Sequence, residues 1–257
     1  MVKKVVLCNC QGKIIEASRI EEIERLLSDS GIPVTKLTDM CGICATPKED
    51  TKQLISGSGE TLVLACYPRA VSMILAHGGA VIHPDQLSVI NLREVSIDEI
   101  KASIQLLSPG ELDQADRIES GKEWPAWYPV IDYSRCTACG QCADFCLFGV
   151  YENKEGKVTV LNPQGCKNNC PACARICPQT AIVFPKYEQG GAIAGSDSID
   201  ETAEQRRQLQ DVDSILGSDI YKALEMRKLK RRSIISSNAM EKALEEREKA
   251  LINKIQD

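Results

Sequence analysis

Two patterns of hydrophobic and polar residues alternate over the first 107 residues. Short apolar runs predict β-strands, and the segments between them carry apolar residues at helical spacing among charged ones. The predicted strands are 2–8, 33–37, 61–66 and about 87–92. The predicted helices are Ser18 to Ser28, a short one opened by Pro47, Pro68 to about His77, and Ser96 to Leu107, where Ser96 and Glu99 have capping-box spacing. This alternation predicts an α/β domain over 1–107, a small open parallel sheet covered by helices.

The pattern changes after residue 107. Residues 108–132 are polar and contain three Pro, so we predict a linker that docks through Trp124 and Trp127. Residues 133–186 form a compact Cys-rich segment, for which we predict a small α+β domain. The Gly-rich stretch 189–196 predicts a hinge, so the last region, 187–257, is a hinge followed by a helical tail.

The tail, residues 197–257, contains neither Cys nor Pro and is highly charged. Apolar residues share one face of its predicted helix, at Met240, Leu244, Leu251 and Ile255. This face indicates either a solvated helix that packs weakly on its own protein or a helix that docks a partner. A basic cluster in the tail is either a solvated face or a contact for an acidic partner; it comprises Arg227, Lys228, Lys230, Arg231 and Arg232.

Charge and composition narrow the classes of function. The 257 residues include 31 basic and 36 acidic ones, which gives a net charge of −5 with both His neutral. A mildly acidic chain is a poor candidate for nucleic-acid binding over its whole surface. No apolar run reaches the roughly 18 residues of a membrane span, and no signal-peptide cleavage site is present. We therefore expect a cytoplasmic protein with no membrane span.

The 13 Cys residues are an odd number and lie in tight groups, which argues against a disulfide framework. Eight of them form an internal duplication that begins at residue 136 and again at residue 166. The two motifs are Cys136-x₂-Cys139-x₂-Cys142-x₃-Cys146 and Cys166-x₃-Cys170-x₂-Cys173-x₃-Cys177-Pro178. Three close thiolates can hold three corners of an iron–sulfur cubane while the fourth reaches away. A structural zinc site does not use eight Cys in this phase.

This double motif resembles bacterial two-cluster ferredoxins over about 133–185. The resemblance implies two [4Fe–4S] clusters with crossed ligation. Cluster 1 would be held by Cys136, Cys139, Cys142 and Cys177, and cluster 2 by Cys166, Cys170, Cys173 and Cys146. Two departures are Leu147 in place of the usual Pro and the longer opening spacing of the second motif. The first changes a turn, and the second lengthens a loop over one cluster, which can alter its potential.

The other five Cys, at positions 8, 10, 41, 44 and 66, follow the carboxyl ends of three predicted strands. Those ends meet at one edge of a parallel sheet, where ligands bind. The placement predicts a third metal centre, for which a [4Fe–4S] cluster is the first candidate. Alternatively, one or two of these Cys are buried as small hydrophobic residues.

Four short motifs of this region resemble, in order, the N-terminal domain of the heterodisulfide reductase A subunit family over about 2–107. They are Cys8-Asn-Cys10, Met40-Cys41, Ala65-Cys66-Tyr67-Pro68-Arg69 and Asn91-Leu92-Arg93-Glu94. The resemblance implies one cubane held by Cys8, Cys10, Cys41 and Cys66, with Cys44 either spare or replacing Cys41. Arg69 and Arg93 would lie near this cluster, whereas His77 and His83 are predicted to be structural. No Gly-x-Gly-x-x-Gly follows a strand, so we expect no flavin in this chain.

These motifs predict a non-catalytic electron-transfer subunit with three [4Fe–4S] clusters, since no acid–base pair or nucleophilic triad is visible. The expected partner is a larger redox enzyme with a flavin, hydrogenase or molybdenum/tungsten subunit, docked through residues 197–257. Two alternatives stay open. One is an enzyme that activates a small substrate at an open iron site of the N-terminal cluster, and the other is a redox sensor or cluster scaffold.

Overall fold

The structure is a computed structural model, and it describes residues 2–10, 14–47, 49–55, 59–83, 85–109, 112–113, 116–119 and 124–216. The strands are β1 (Val2–Cys8), β2 (Thr35–Leu37), β3 (Glu60–Ala65), β4 (Leu87–Asn91), β5 (Arg117–Ile118), β6 (Val130–Ile131), β7 (Tyr151–Lys154), β8 (Lys157–Val160) and β9 (Ile182–Val183). The helices are α1 (Ala17–Asp29), α2 (Met40–Cys44), α3 (Glu49–Gln53), α4 (Pro68–His77), α5 (Ile97–Gln105), α6 (Gln141–Phe145), α7 (Ala172–Arg175), α8 (Gly191–Ala194) and α9 (Glu201–Leu216). A 3₁₀ turn spans Pro163–Gly165. Among the described helices, none is long and apolar enough to cross a membrane.

The N-terminal region, residues 2–119, is built on a five-stranded parallel sheet with the strand order β4-β3-β1-β2-β5. The predicted parallel sheet with helices is therefore confirmed. The edge strand β5 comes from the segment predicted to be a linker, where the Lys36 N–H donates to the Asp116 carbonyl over 2.8 Å. Two residues are too few to carry a detectable strand pattern, so the sequence does not reveal this strand.

Alternation along β1 divides the core between the two faces of the sheet. Val5 and Leu7 pack with the apolar residues of α1 and α5 on one face. Val6 and Cys8 pack on the other face, with α2 and α4. The helix α5 begins with the expected capping box, in which Ser96 and Glu99 each accept a backbone N–H of the other. The sheet thus has one purely structural face and one face that collects cysteines.

The Cys-rich module, residues 129–196, has short elements around a small core. Its outer strands β6 and β9 pair antiparallel, and β7 and β8 form a hairpin. Val130 and Val183 face the core of the N-terminal region, whereas Ile131 and Ile182 face the module's own core. The ribbon of β6 and β9 therefore joins the two parts of the molecule.

The Gly-rich segment, predicted to be a hinge, contains the short helix α8 with Ala192, Ile193 and Ala194 buried. The Phe184 N–H donates to the Ile193 carbonyl over 2.7 Å. At Gly195, with φ of +99°, a Cβ would lie 2.6 Å from the Cβ of Ala70. The small residues allow the backbone of this segment to come close to α4, so the segment packs against the N-terminal region. The predicted tail beyond residue 216, with its apolar face and basic cluster, lies outside the described residues.

Candidate iron–sulfur sites

Five buried cysteines lie at the carboxyl edge of the parallel sheet. Cys8 ends β1, Cys10 follows it with a left-handed φ of +51°, and Cys66 comes directly after β3. Cys41 and Cys44 belong to α2, which begins just beyond β2. All five lie in the core on the same face of the sheet, as the strand ends predict.

Four of these thiols are close enough to influence one another. Burial raises the pKa of Cys8, and the Cys10 and Cys66 thiols raise it further. Burial also raises the pKa of Cys41, with smaller contributions from Cys10 and Cys66. The Met40 N–H donates to the Cys8 sulfur over 3.5 Å. Cys8, Cys10, Cys41 and Cys66 therefore form one group, which we call the N-terminal thiol group.

Cys44 has different neighbours. The pKa of its thiol is raised to about 12, mainly by burial and also by Asp39, while the Thr51 side chain opposes the shift. Its sulfur lies against α4, since a Cβ on Gly78 would come within 3.2 Å of it. Of the two candidates on α2, Cys41 is thus the one that lies with the other three thiols.

Tyr128 and Lys186, from outside the N-terminal region, form hydrogen bonds at α2 and at the residue that precedes it. The Tyr128 hydroxyl donates to the Cys41 carbonyl over 2.8 Å. Lys186 Nζ donates to Asp39 Oδ2, beside Cys41, over 2.6 Å. Sequence reasoning missed both residues, because they lie far along the chain and no local motif marks them.

The two arginines expected near the N-terminal thiol group have different positions. Arg93 lies close to it, since its charge counters the pKa increase that burial causes at Cys10 and Cys66. Arg69 instead donates to Asp132 Oδ2 over 2.7 Å and to the carbonyls of Thr180 and Ala192. This ion pair is almost fully buried, so Arg69 joins the N-terminal region to the Cys-rich module.

His77, expected to be structural, packs against Ala45 and Tyr128, beside the helix α2. Its ring lies 5.4 Å from that of Tyr128, and its Nε2 is 3.1 Å from the Ala45 carbonyl oxygen. Burial lowers the pKa of His77, which favours the neutral ring.

The Cys-rich module contains a small, largely apolar pocket that is partly open to solvent. Its lining includes the four cysteines predicted for cluster 1, Cys136, Cys139, Cys142 and Cys177, with Ile131, Val158, Ala181 and Ile182. The pKa of Cys142 is raised to about 11, mainly by burial and also by the nearby Cys177 and Cys136 thiols. The distant Cys177 therefore lies with the first motif, as crossed ligation requires.

The thiols predicted for cluster 2 also combine cysteines of both motifs. The pKa of Cys166 is raised to about 12, mainly by burial and also by the Cys170 and Cys146 thiols. The pKa of Cys173 is likewise raised to about 12, mainly by burial and against the opposing effect of the Tyr151 hydroxyl, which donates to its sulfur over 3.0 Å. Cys146, from the first motif, thus lies with the cysteines of the second.

A [4Fe–4S] cluster and a single metal ion need different arrangements of thiols. Within the described residues, no three Cys, His, Asp or Glu side chains converge as ligands of one metal ion. The four thiolates of a cubane bind four different irons, so they need not converge on one point. An apolar pocket lined by four thiols fits such a group, because thiolates are the ligands that iron–sulfur clusters use.

These sites define an iron–sulfur protein, and comparison with known proteins agrees. The family model of the 4Fe-4S binding domain matches residues 129–149. An uncharacterised ferredoxin of Methanocaldococcus jannaschii is 49% identical over 61 residues, which cover 23% of this chain and only 42% of that relative. Ferredoxin-3 of Nostoc sp. is 30% identical over 87 residues, covering 26% of this chain and 89% of the relative. A second uncharacterised ferredoxin of M. jannaschii is 33% identical over 58 residues, covering 21% and 74%. No solved structure matches significantly.

The chain belongs to the ferredoxins of the 4Fe-4S type through its Cys-rich module. The Cys-rich module is thus an iron–sulfur domain of the type that binds [4Fe–4S] clusters.

Proposed function

We propose that this protein relays single electrons through three [4Fe–4S] clusters to or from a larger redox enzyme. Two clusters would be held by the crossed cysteine sets of the Cys-rich module. The third would be held by Cys8, Cys10, Cys41 and Cys66, as in the N-terminal domain of the heterodisulfide reductase A subunit family. The observation that carries this proposal is that these four buried thiols lie in one core at the carboxyl ends of the strands, with the Cys44 sulfur against Gly78.

The contacts between the N-terminal region and the Cys-rich module support a relay. Arg69 and Asp132 form a buried ion pair across the boundary, and the Asp132 carbonyl accepts the N–H of Cys136. Arg69 also donates to the Thr180 carbonyl, and the Thr180 N–H donates to the carbonyl of Cys177. Electron transfer between fixed centres depends steeply on their separation. The contacts of Arg69 lead through Asp132 and Thr180 to the backbone of the proposed ligands Cys136 and Cys177, so they hold that separation constant.

Apolar side chains on the surface support association with a partner. Leu147 is 92% exposed, and its neighbours Phe145 and Phe148 are 47% and 45% exposed. All three lie next to Cys146, a proposed ligand of cluster 2. Exposed apolar groups in one place are typical of protein contact sites. We propose a flavin, hydrogenase or molybdenum/tungsten subunit as the partner, contacted here and through residues 197–257, in the cytoplasm.

Iron and sulfide analysis of anaerobically purified protein tests the third cluster. The wild-type chain should contain about 12 iron and 12 sulfide, because three cubanes hold four of each. A Cys41→Ala variant should contain about eight of each. Cys44→Ala is the matched control, since it lies on the same short helix and should keep all 12. About eight iron in the wild-type chain would contradict the third cluster. Loss of iron in Cys44→Ala but not in Cys41→Ala would mean that Cys44, and not Cys41, is the ligand.

A further inference from the structure

Lys186 is a buried cation that the Cys-rich module places beside the N-terminal thiol group. It follows β9, yet its Nζ donates to Asp39 Oδ2 over 2.6 Å and to the Pro125 carbonyl over 2.9 Å. Its side chain is 12% exposed and that of Asp39 is 1% exposed. Asp39 precedes Cys41 by two residues, so this ion pair lies directly beside the thiols.

The thiols and the lysine act on each other electrostatically. Burial raises the pKa of Cys10, and Lys186 is the strongest of the groups that oppose this increase. Burial acts to lower the pKa of Lys186 itself, but Cys41, Asp39 and Cys10 together raise it above its usual value. The ammonium group is therefore close to two of the proposed ligands, Cys10 and Cys41.

Asp39 is the opposing negative charge in the same place. Its carboxylate adds to the increase that burial causes in the pKa of both Cys8 and Cys41. Its second oxygen, Oδ1, is buried and has no hydrogen-bond partner in the described part of the chain. Lys186 is thus the cation that balances Asp39, whose carboxylate is also stabilised by the backbone N–H groups of Cys41 and Gly42.

The backbone around Lys186 is held in place from the N-terminal region. Arg93 donates through Nη1 to the Tyr187 carbonyl over 3.2 Å and through Nη2 to the Glu188 carbonyl over 3.0 Å. The Arg93 guanidinium also lies over the Tyr67 ring, 4.8 Å from its centre, next to Cys66. The backbone of residues 187–188 is therefore held by Arg93, and the Lys186 ammonium group is held by Asp39. The fold thus determines the position of this charge.

We propose that Lys186 sets the reduction potential of the N-terminal cluster by holding a positive charge beside Cys10 and Cys41. The inference rests on the third cluster of the proposed function. Reduction adds one negative charge to a cluster, so a fixed cation nearby stabilises the reduced state and raises the potential. By this contact the Cys-rich module tunes a cluster that it does not itself ligate.

Redox titration of the full chain, followed by EPR spectroscopy under anaerobic conditions, tests the proposal. In Lys186→Met, one of three one-electron transitions should shift to a more negative potential, while the other two transitions and the iron content stay unchanged. Lys186→Arg keeps the charge and should remain close to wild type. Lys101→Met removes an exposed lysine of α5 and should move none of the transitions.

A further variant separates charge from folding. Asp39→Asn should shift the same transition to a more positive potential, because it removes the opposing charge. Combining Lys186→Met with Asp39→Asn removes both charges, so it should keep all the iron and give a potential more negative than that of Asp39→Asn alone.

Three results would overturn the assignment. If the variants hold 12 iron and the potentials do not move, or all three move equally, Lys186 does not set this potential although the third cluster exists. If the double variant loses about four iron, Lys186 is structural. If the wild-type chain holds only about eight iron, the third cluster and the role of Lys186 fail together.

Discussion

The N-terminal region and the Cys-rich module both gather cysteines, but they position them by different means. In the N-terminal region a five-stranded sheet has apolar cores on both faces, and the thiols occupy one edge of one core. In the Cys-rich module the two sheets have strands of two and four residues, and two cysteines belong to the small core itself. The N-terminal region has an apolar core of its own, on which a cysteine site can be built. The Cys-rich module instead depends on its cysteine sites for much of its core.

Solvent exposure follows the same division. All five N-terminal cysteines are buried, whereas in the Cys-rich module Cys139 is exposed and five of its other cysteines are partly exposed. Burial in apolar surroundings and exposure to water are among the factors that set cluster potentials. The two parts are thus expected to hold clusters in different environments, one enclosed and one near the surface.

Removal of iron should produce the largest difference in stability between the N-terminal region and the Cys-rich module. With the clusters gone, we expect the amides of β6 to β9 to lose nearly all protection from hydrogen exchange, because their core is small and their strands are short. The amides of β1, β3 and β4 should keep most of their protection, because the two-sided core of the sheet remains. Hydrogen exchange of the iron-loaded and iron-free chain measures both. Equal loss in both regions would mean that they fold as one unit.

The second prediction concerns the boundary between the two regions. Arg69→Met leaves Asp132 as an unpaired buried carboxylate, which should destabilise the protein by about 3–5 kcal/mol. The midpoint of anaerobic urea unfolding measures this change. Arg117→Met is the control, since it removes one arginine from an exposed pair with Glu119 and should cost less than about 1 kcal/mol.

A companion variant tests the physical cause. Asp132 keeps a pKa below its usual range because hydrogen bonds from Ser134 and Arg69 outweigh the effect of burial, which acts to raise it. Adding Asp132→Asn to Arg69→Met removes the lone charge but retains an acceptor for Ser134. This double variant should recover part of the lost stability, and no recovery would mean that Arg69 acts through packing alone.

The sequence predicts local features of this molecule well. Four of the five described strands of the parallel sheet and the helices α1, α4 and α5 follow from hydrophobic periodicity, and the Ser96 capping box follows from two residues at a fixed spacing. The position of the N-terminal cysteines at one sheet edge follows from strand ends, since every parallel strand ends on the same side.

What the sequence does not reveal are the contacts between distant segments. Lys186 approaches Asp39 across 147 positions, and Tyr128 approaches Cys41 across 87. Arg69 was expected beside the N-terminal thiol group because of its motif, yet it binds Asp132 in the other region. Such pairs depend on how two regions pack, and hydrophobic periodicity within one element carries no information about that packing.

The third prediction tests one of these distant contacts. Tyr128→Phe removes the donor to the buried carbonyl of Cys41, and the loss should cost about 1–3 kcal/mol in the local opening free energy of the N-terminal region. Hydrogen exchange at β1 and β3 measures this opening. The iron content should stay at the wild-type value, because no proposed ligand is changed. Loss of about four iron would instead make Tyr128 essential for the site.

The smallest expected effect concerns a hydrogen bond inside the Cys-rich module. Tyr151 donates to the Cys173 sulfur over 3.0 Å, and such a bond favours the more negative, reduced cluster. If the bond is about 1 kcal/mol stronger in the reduced state, Tyr151→Phe should lower the potential of cluster 2 by about 40 mV. Tyr133→Phe is the control, since that hydroxyl donates to the Val158 carbonyl.

EPR-monitored titration of both tyrosine variants completes the comparison of the two regions. A negative shift confined to one transition in Tyr151→Phe, with no shift in Tyr133→Phe, would mean that a neutral hydroxyl tunes the cluster of the Cys-rich module. The N-terminal cluster would by contrast be tuned by the buried charge of Lys186. Because a fixed charge acts over a longer range than a single hydrogen bond, the shift in Lys186→Met should exceed that in Tyr151→Phe. The reverse order would contradict this distinction between the two environments.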